Sequence, residues 1–213
     1  ANQKESMKYT KMAADSGDVD AMCIYGLRLD AGEGVEQDEE EAFKYIEKAA
    51  KSGNYEAMYH YALKIDDCTC ENEAVACKYY KKAADNGIVQ AMLRYAFKLE
   101  KNCINKDKNE IYSYYISAAK EGNVDAMIIC GIMLSTGDGI RIDKKKAHKY
   151  FKRAADKGNL FAINRCAWNL LYGEGVEKNV NESIKYFKMS AEKGNRVGED
   201  QYWYQLNKYR KQN

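Results

Sequence analysis

The sequence predicts an all-α protein, built as a solenoid of stacked helix pairs. An Ala-Ala-x-x-Gly motif recurs along the chain, and its glycines lie 34 to 36 residues apart. A period in this range is typical of stacked helical repeats, in which neighbouring units share a continuous core. Each unit also contains two stretches with apolar residues at helical spacing. The repeated glycines are Gly17, Gly53, Gly87, Gly122, Gly158 and, in a weaker copy, Gly194.

The first stretch of each unit, here termed helix A, begins directly after the glycine. Apolar or small residues occupy the fourth, fifth, eighth, ninth and twelfth places after it, which is helical spacing. The ninth place is always small, and this predicts that a neighbouring helix approaches closely there. The eighth place predicts a buried column of tyrosine and cysteine. The ninth-place residues are Gly26, Ala62, Ala96, Gly131 and Ala167, and the eighth-place residues are Tyr25, Tyr61, Tyr95, Cys130 and Cys166.

The second stretch, helix B, carries an Ala-x-x-Tyr-x-x-x-Ala-Ala pattern that begins at Ala42 in the first complete unit. The repeated glycine ends helix B because it can adopt the left-handed cap conformation. A following Asp or Asn predicts an N-cap for the next helix A, and Ile88 predicts a weaker start. The sequence thus predicts one domain over residues 1–213, with a half-repeat at each end. Its helix pairs are expected at about 18–51, 54–85, 88–120, 123–156 and 159–192, with a capping helix at about 198–212.

Three units carry Gly-x-Gly and an aliphatic residue between helix A and helix B, as in residues 32–35, 137–140 and 173–176. Glycine-rich segments can bind phosphate, but such loops follow a strand and commonly carry Lys-Ser or Lys-Thr. These segments follow a helix, lack that pair and recur at the repeat period. They are therefore interpreted as turns with an apolar plug.

Composition limits the possible partners and the compartment. The chain has 34 basic and 32 acidic residues, so its net charge of +2 argues against a nucleic acid partner. The longest apolar run, residues 126–134, is far shorter than the roughly 20 residues of a membrane span. Seven irregularly spaced cysteines favour a reducing, cytoplasmic location over a disulfide framework. Because Ala1 is not a methionine, we expect the chain to be a fragment of a longer protein. We also expect a monomer that does not insert into a membrane.

These motifs together resemble the Sel-one-like repeat (SLR) family, a relative of the tetratricopeptide repeat. The resemblance rests on Ala-Ala-x-x-Gly, on the Ala-x-x-x-Leu/Tyr-Gly helix and on the Gly-x-Gly-Val turn, over residues 5–194. It implies a right-handed superhelix that acts as a non-catalytic adaptor for a protein or peptide. Two units depart from the pattern, because residues 66–70 and 101–104 replace the Gly-x-Gly turn.

No catalytic or metal constellation is recognisable in the sequence. Only His60 and His148 occur, and their spacing fits neither a helical metal motif nor a nucleophile–base pair. Cys68-x-Cys70 with Cys77 is a weak zinc pattern, which Cys103 or His60 could complete, and free thiols are the favoured interpretation. We therefore expect no cofactor, no metal and no enzymatic activity. Two alternatives stay open: a regulatory region attached to a catalytic domain, and β-lactam hydrolysis, which the resemblance associates with cysteine-rich members that have regular cysteine pairs.

The resemblance also implies that helix A lines a concave groove, so places three, six, seven and ten after each glycine should face inward. These places combine an acidic edge, separated basic residues and an apolar floor. Arginine beside an aromatic residue is common at binding hot spots, although aliphatic residues at place ten are also expected to pack on neighbouring helices. The predicted partner-binding residues are Tyr59, His60, Arg94, Phe97, Asn164, Arg165 and Trp168.

Overall fold

The computed structural model describes residues 3–66, 70–101 and 107–210, and within these ranges it contains twelve helices and no strand. The predicted all-α class is thereby confirmed. The helices are α1 (Gln3–Asp15), α2 (Val19–Ala31), α3 (Glu39–Lys51), α4 (Tyr55–Ile65), α5 (Cys70–Asp85), α6 (Val89–Lys101), α7 (Lys108–Lys120), α8 (Val124–Thr136), α9 (Lys144–Asp156), α10 (Leu160–Tyr172), α11 (Val180–Glu192) and α12 (Arg196–Arg210). No helix in these ranges is long and apolar enough to cross a membrane.

The chain divides into two compact units, Ala1–Lys101 and Asn102–Asn213. In the first unit, each of the helices α1 to α6 packs against the next helix along the chain, and the same holds for α7 to α12 in the second. Helices α2, α4, α6, α8 and α10 are A helices, and α3, α5, α7, α9 and α11 are B helices. The predicted pair at 88–120 is divided between the units. A single continuous solenoid over residues 1–213 stays a prediction.

The A helices begin where the sequence places a capping side chain. Asp18 accepts a hydrogen bond from the backbone N–H of Ala21 at 2.8 Å, and Asn54 accepts the equivalent bond from Ala57 at 2.7 Å. The same bond recurs at the starts of α8, α10 and α12. Such a bond satisfies one of the amide groups that a helix start leaves unpaired. Ile88 has no side-chain acceptor, yet α6 begins at the equivalent residue because packing on α5 also holds it.

The Gly-x-Gly segments are structural turns. In the α10–α11 turn, Gly173 caps α10 in the left-handed conformation with φ +75°, and its N–H reaches the Asn169 carbonyl. Gly175 also has positive φ, and a Cβ there would lie 2.0 Å from the Lys144 carbonyl oxygen at the start of α9. The second glycine is thus required by both conformation and close contact with the preceding B helix.

The ninth-place column packs on helix B of its own pair. A Cβ on Gly26 would lie 2.8 Å from Cγ1 of Ile46, and one on Gly131 would lie 2.7 Å from the Phe151 ring. The predicted close approach of a neighbouring helix is therefore confirmed for these glycines, and that helix is helix B of the same pair. A short turn joins the two helices of a pair, so their closest approach occurs within the pair.

The eighth-place column is buried, as predicted. The side chains of Cys130 and Cys166 are fully buried free thiols, and Tyr25 meets Tyr45 edge-on at 4.8 Å. Burial raises the pKa of each of these two thiols to about 12. The two cysteines therefore serve as small core residues.

Helix α12 covers the end of α11. Gly198 is buried against α11, and a Cβ there would lie 2.5 Å from the Ser190 side chain. This contact explains why glycine replaces the alanine of earlier repeats. Trp203 stands where the other A helices carry Gly or Ala, and 53% of its surface is exposed.

Candidate functional site

The predicted binding residues all lie on A helices, and they form two sets in different units. The set in the first unit comprises Tyr59 and His60 on α4 with Arg94 and Phe97 on α6. The set in the second unit comprises Asn164, Arg165 and Trp168 on α10. A groove that joins the two sets stays a prediction.

On α4, both predicted residues are half-buried and engaged within the first unit. The Tyr59 ring lies 6.2 Å from the ring of the buried Tyr80, and the Tyr80 hydroxyl donates to Asp66 at 3.3 Å. Burial, with Asp66 as a second cause, holds the pKa of Tyr80 well above its usual range. His60 Nε2 lies 3.5 Å from the Glu56 carboxylate, one helical turn earlier. Tyr59 thus mainly covers the core, and His60 borders the exposed face.

On α6, the predicted residues are exposed. Arg94 lies on the surface without an ion pair among the described residues, and 43% of Phe97 is exposed. The Lys101 ammonium lies 4.7 Å from the centroid of the Phe97 ring, which is cation–π distance. This end of α6 therefore offers an open aromatic ring with cations on the same helix face. One helical turn before Lys101, the Lys98 ammonium is held by ion pairs with Asp66 and Glu73 and is not free to contact a ligand.

Arg165 on α10 is the least satisfied polar side chain of the predicted set. Its guanidinium lies over the ring of the buried Phe151, with its Cζ 5.5 Å from the ring centroid. Its Nε–H is buried and has no acceptor in the described part of the chain. A buried donor without a partner is rare in folded proteins because it has lost water without gaining a hydrogen bond. Arg165 is thus positioned by packing while part of its hydrogen-bonding capacity stays unused.

A small polar cavity of about 130 Å³ adjoins Arg165. It lies between the end of α8, the start of α9 and α10, and its other lining residues include Ser135, Thr136 and Asn169. Lys144 and Glu174 also line it and pair with each other at 3.1 Å. With that pair neutralised, Arg165 is the cation left to receive an acceptor such as a carboxylate or a carbonyl.

Asn164 and Trp168 flank Arg165 on α10. The Asn164 amide donates to the Asn195 side chain at 3.3 Å, while its own Oδ1 is buried without a donor. Trp168 meets Phe187 edge-on at 5.1 Å and stacks on Tyr172 at 5.7 Å, so much of the indole belongs to the core. The structure therefore assigns Trp168 a packing role and leaves only its outer edge for a ligand.

Two exposed aromatic residues extend this face and are missing from the predicted site. Phe161 is 46% exposed and Tyr172 is 66% exposed. They lie four residues before and seven residues after Arg165, and residues at these intervals share one helix face. That spacing was visible in the sequence. We term the resulting strip, Phe161, Arg165, Trp168 and Tyr172, the α10 face.

The structure describes only part of the cysteine pattern that the sequence offers as a zinc site. Cys68, Cys103 and the side chain of Cys70 lie outside the described residues. Cys77 is a half-buried free thiol whose pKa burial raises. Within the described ranges, no group of three or more His, Cys, Asp or Glu side chains could hold a metal ion.

Comparison with solved structures supports the solenoid class. A Sel1 repeat protein from Oxalobacter formigenes is 25% identical with a TM-score of 0.75, and the match covers 91% of this chain and 83% of that one. A protective antigen of uropathogenic Escherichia coli with an SLR fold, c5321, is 24% identical with a TM-score of 0.75. That match covers 94% of this chain but only 44% of the antigen, so this chain spans less than half of its length. No curated protein is similar enough in sequence to count as a match.

The family model for the Sel1 repeat matches residues 1–18, 19–54, 56–88, 124–159 and 160–195. It leaves out residues 89–123, where the sequence lacks the Gly-x-Gly turn, although α6 and α7 occupy most of this range. The matches cover well over half of the chain, and the repeat motifs, helices and turns agree with them. The chain therefore belongs to the Sel1 repeat family.

Proposed function

We propose that this chain is a non-catalytic scaffold that binds a protein or peptide segment on the exposed faces of its A helices. The proposal is supported by the family, whose members generally mediate protein–protein interactions. The observation that carries it is the buried Nε–H of Arg165, which has no acceptor in the described residues. An incoming carboxylate or backbone carbonyl in the adjoining cavity supplies that acceptor once the guanidinium turns towards it.

The α10 face suits such a ligand because it combines one directional contact with apolar surface. A hydrogen bond to a charged group contributes about 1.5–3 kcal/mol. Phe161 and Tyr172 are exposed and rigid, so they bury ligand surface at a low cost in side-chain entropy. The expected ligand thus presents an acidic group or a free carbonyl next to an apolar side chain.

Arg94 and Phe97 form a second contact area in the first unit. The open Phe97 ring and the exposed Arg94 repeat the pairing of arginine with an aromatic residue that the α10 face shows. We therefore include Arg94 and Phe97 in the proposed binding surface, while Tyr59, His60 and Asn164 border it.

Selection of peptides from a random display library tests this proposal. Peptides selected on the wild-type chain should carry Asp, Glu or a terminal carboxylate beside an apolar residue. Their binding should weaken at least about tenfold with Arg165→Glu and less with Arg94→Glu. The matched controls are Lys48→Glu and Lys185→Glu, because both lysines are exposed on B helices. If the control variants abolish binding and the arginine variants do not, the proposed surface is wrong.

The proposal includes a monomer in a reducing, cytoplasmic environment. It is supported by Cys23, Cys130 and Cys166, which are free thiols in the core. The alternative of a regulatory region within a longer protein is compatible with the same binding surface. The alternative of β-lactam hydrolysis is tested by nitrocefin turnover, and turnover that persists in the Arg165→Glu variant would contradict a purely scaffolding role.

A further inference from the structure

A cavity of about 700 Å³ lies in the second unit, away from the exposed aromatic residues of the α10 face. It is bounded by α7, the α8–α9 turn and the start of α9. Tyr112, Leu134, Ile140 and Ile142 give it an apolar floor. Ile142 leaves 56% of its surface exposed. The cavity is large enough for a bulky side chain, and its apolar lining is exposed at Ile142 and partly exposed at Tyr112 and Ile140.

Basic residues surround this apolar floor. Arg141, Lys144, Lys145 and Lys146 all line the cavity. Lys144 pairs with Glu174 at 3.1 Å and Lys146 with Asp143 at 3.4 Å. Arg141 and Lys145 form no ion pair within the described part of the chain. The site therefore has uncompensated positive charge beside exposed apolar surface.

Lys144, Lys145 and Lys146 destabilise the start of α9. Acidic residues are favoured in the first turn of a helix, because the amide groups there carry partial positive charge. Helix α3, the B helix of the first complete pair, follows this preference with Glu39, Glu40 and Glu41. Helix α9 has three lysines and no acidic residue in its first turn. Asp143 caps α9 through the Lys146 N–H at 2.9 Å, and the surrounding donors lower its pKa, so its carboxylate is already engaged.

We propose that this cavity binds an acidic protein segment carrying one bulky aliphatic side chain, at a site separate from the α10 face. The aliphatic group lies on the floor formed by Leu134, Ile140 and Ile142. Carboxylates on either side of it pair with Arg141 and Lys145. One acidic segment with an aliphatic side chain thus contacts both the apolar floor and the basic residues of the cavity.

A nucleic acid fits the cavity less well. Its phosphates would meet the lysines, but the aliphatic floor offers no ring on which a base could stack, apart from Tyr112 at one side. A second copy of this chain fits less well too. Its acidic cluster on α3 is partly neutralised within the copy, since Glu40 pairs with Lys44 and Glu41 with Lys11.

Fluorescence anisotropy with a defined probe tests the proposal. The probe is a labelled nine-residue peptide with one central leucine and four glutamates on each side, measured at physiological salt. We expect the wild-type chain to bind it and the Arg141→Glu/Lys145→Glu variant to bind it about tenfold more weakly. Replacement of the peptide leucine by alanine should weaken binding several-fold, because the leucine side chain is buried in the complex.

The control variant is Lys48→Glu/Lys82→Glu, which reverses two exposed lysines on B helices of the first unit. The control variant should leave binding of the probe unchanged, and Arg165→Glu should weaken it less than Arg141→Glu/Lys145→Glu does. Failure here is therefore distinguishable from failure of the α10 face. Equal weakening by the control variant, no effect of the leucine replacement, or no binding at millimolar peptide would each overturn the proposal. Tighter binding of a nine-nucleotide oligothymidylate would overturn it as well. Dimerisation that the Arg141→Glu/Lys145→Glu variant abolishes, without peptide binding, would identify a second copy as the occupant and refute an acidic peptide.

Discussion

Replacement of Arg165 by methionine should stabilise the fold while it removes binding. The Nε–H of Arg165 is buried without an acceptor in the described residues, and its guanidinium lies 5.5 Å from the centre of the Phe151 ring. The missing hydrogen bond costs about 1–3 kcal/mol. The cation–π contact contributes about 0.5–1 kcal/mol in return. Methionine removes the unpaired donor, and its sulfur still packs on the aromatic ring.

The free energy of unfolding should therefore rise by up to about 2.5 kcal/mol in the Arg165→Met variant, the largest difference between the two contributions. Urea unfolding monitored by circular dichroism measures it as a shift of the midpoint at constant slope. Binding of the selected peptides, measured on the same variant, should fall at least about tenfold. Higher stability together with lost binding is typical of a residue kept for function.

Arg153 provides a matched control in the same unit. Its guanidinium also lies over an aromatic ring, that of Tyr150 at 5.9 Å, but it donates a hydrogen bond to the Ala119 carbonyl at 2.9 Å. Arg153→Met should therefore lower the free energy of unfolding by about 1–2 kcal/mol. If Arg165→Met destabilises the chain as much as Arg153→Met does, Arg165 is a structural residue and the reasoning is refuted.

Three further predictions concern the second unit. Gly131→Ala should lower the free energy of unfolding, measured in urea melts, by about 1 kcal/mol. The reason is that overpacking against the Phe151 ring, about 1–3 kcal/mol, exceeds the gain in helix propensity. A gain in stability would show that the ring can move. Burial lowers the pKa of His148 from its ordinary 6.5, so the free energy of unfolding should fall as the pH drops below 6.5. His148→Gln should reduce that loss of stability in melts across this pH range. An unchanged dependence of stability on pH in this variant would contradict the prediction. Cys130 and Cys166, with pKa values of about 12, should react with Ellman's reagent only on unfolding. Reaction of all seven thiols of the native chain at the rate of a free thiol would disprove their burial.

The sequence alone determined the class of the fold and the positions of its helices. Glycines at a fixed period, capping residues after them and two apolar stripes per unit are local signals, and they act within one helix or one turn. The buried column at Cys130 and Cys166 followed from the same spacing. So did the placement of Arg165 and Phe97 on A helices, because position on a helix face depends only on helical geometry.

Tertiary structure decided which of those positions remain free. Trp168 is as aromatic as Phe161, but it packs edge-on against the buried Phe187, whereas Phe161 stays 46% exposed. Arg165 and Arg153 both lie over an aromatic ring, but only Arg153 has a carbonyl within hydrogen-bond distance. The cavity beside Ile142 arises where α7, a turn and α9 meet. Hydrogen-bond satisfaction and cavity shape depend on atoms from several helices. They therefore cannot be predicted from the spacing of residues along one helix.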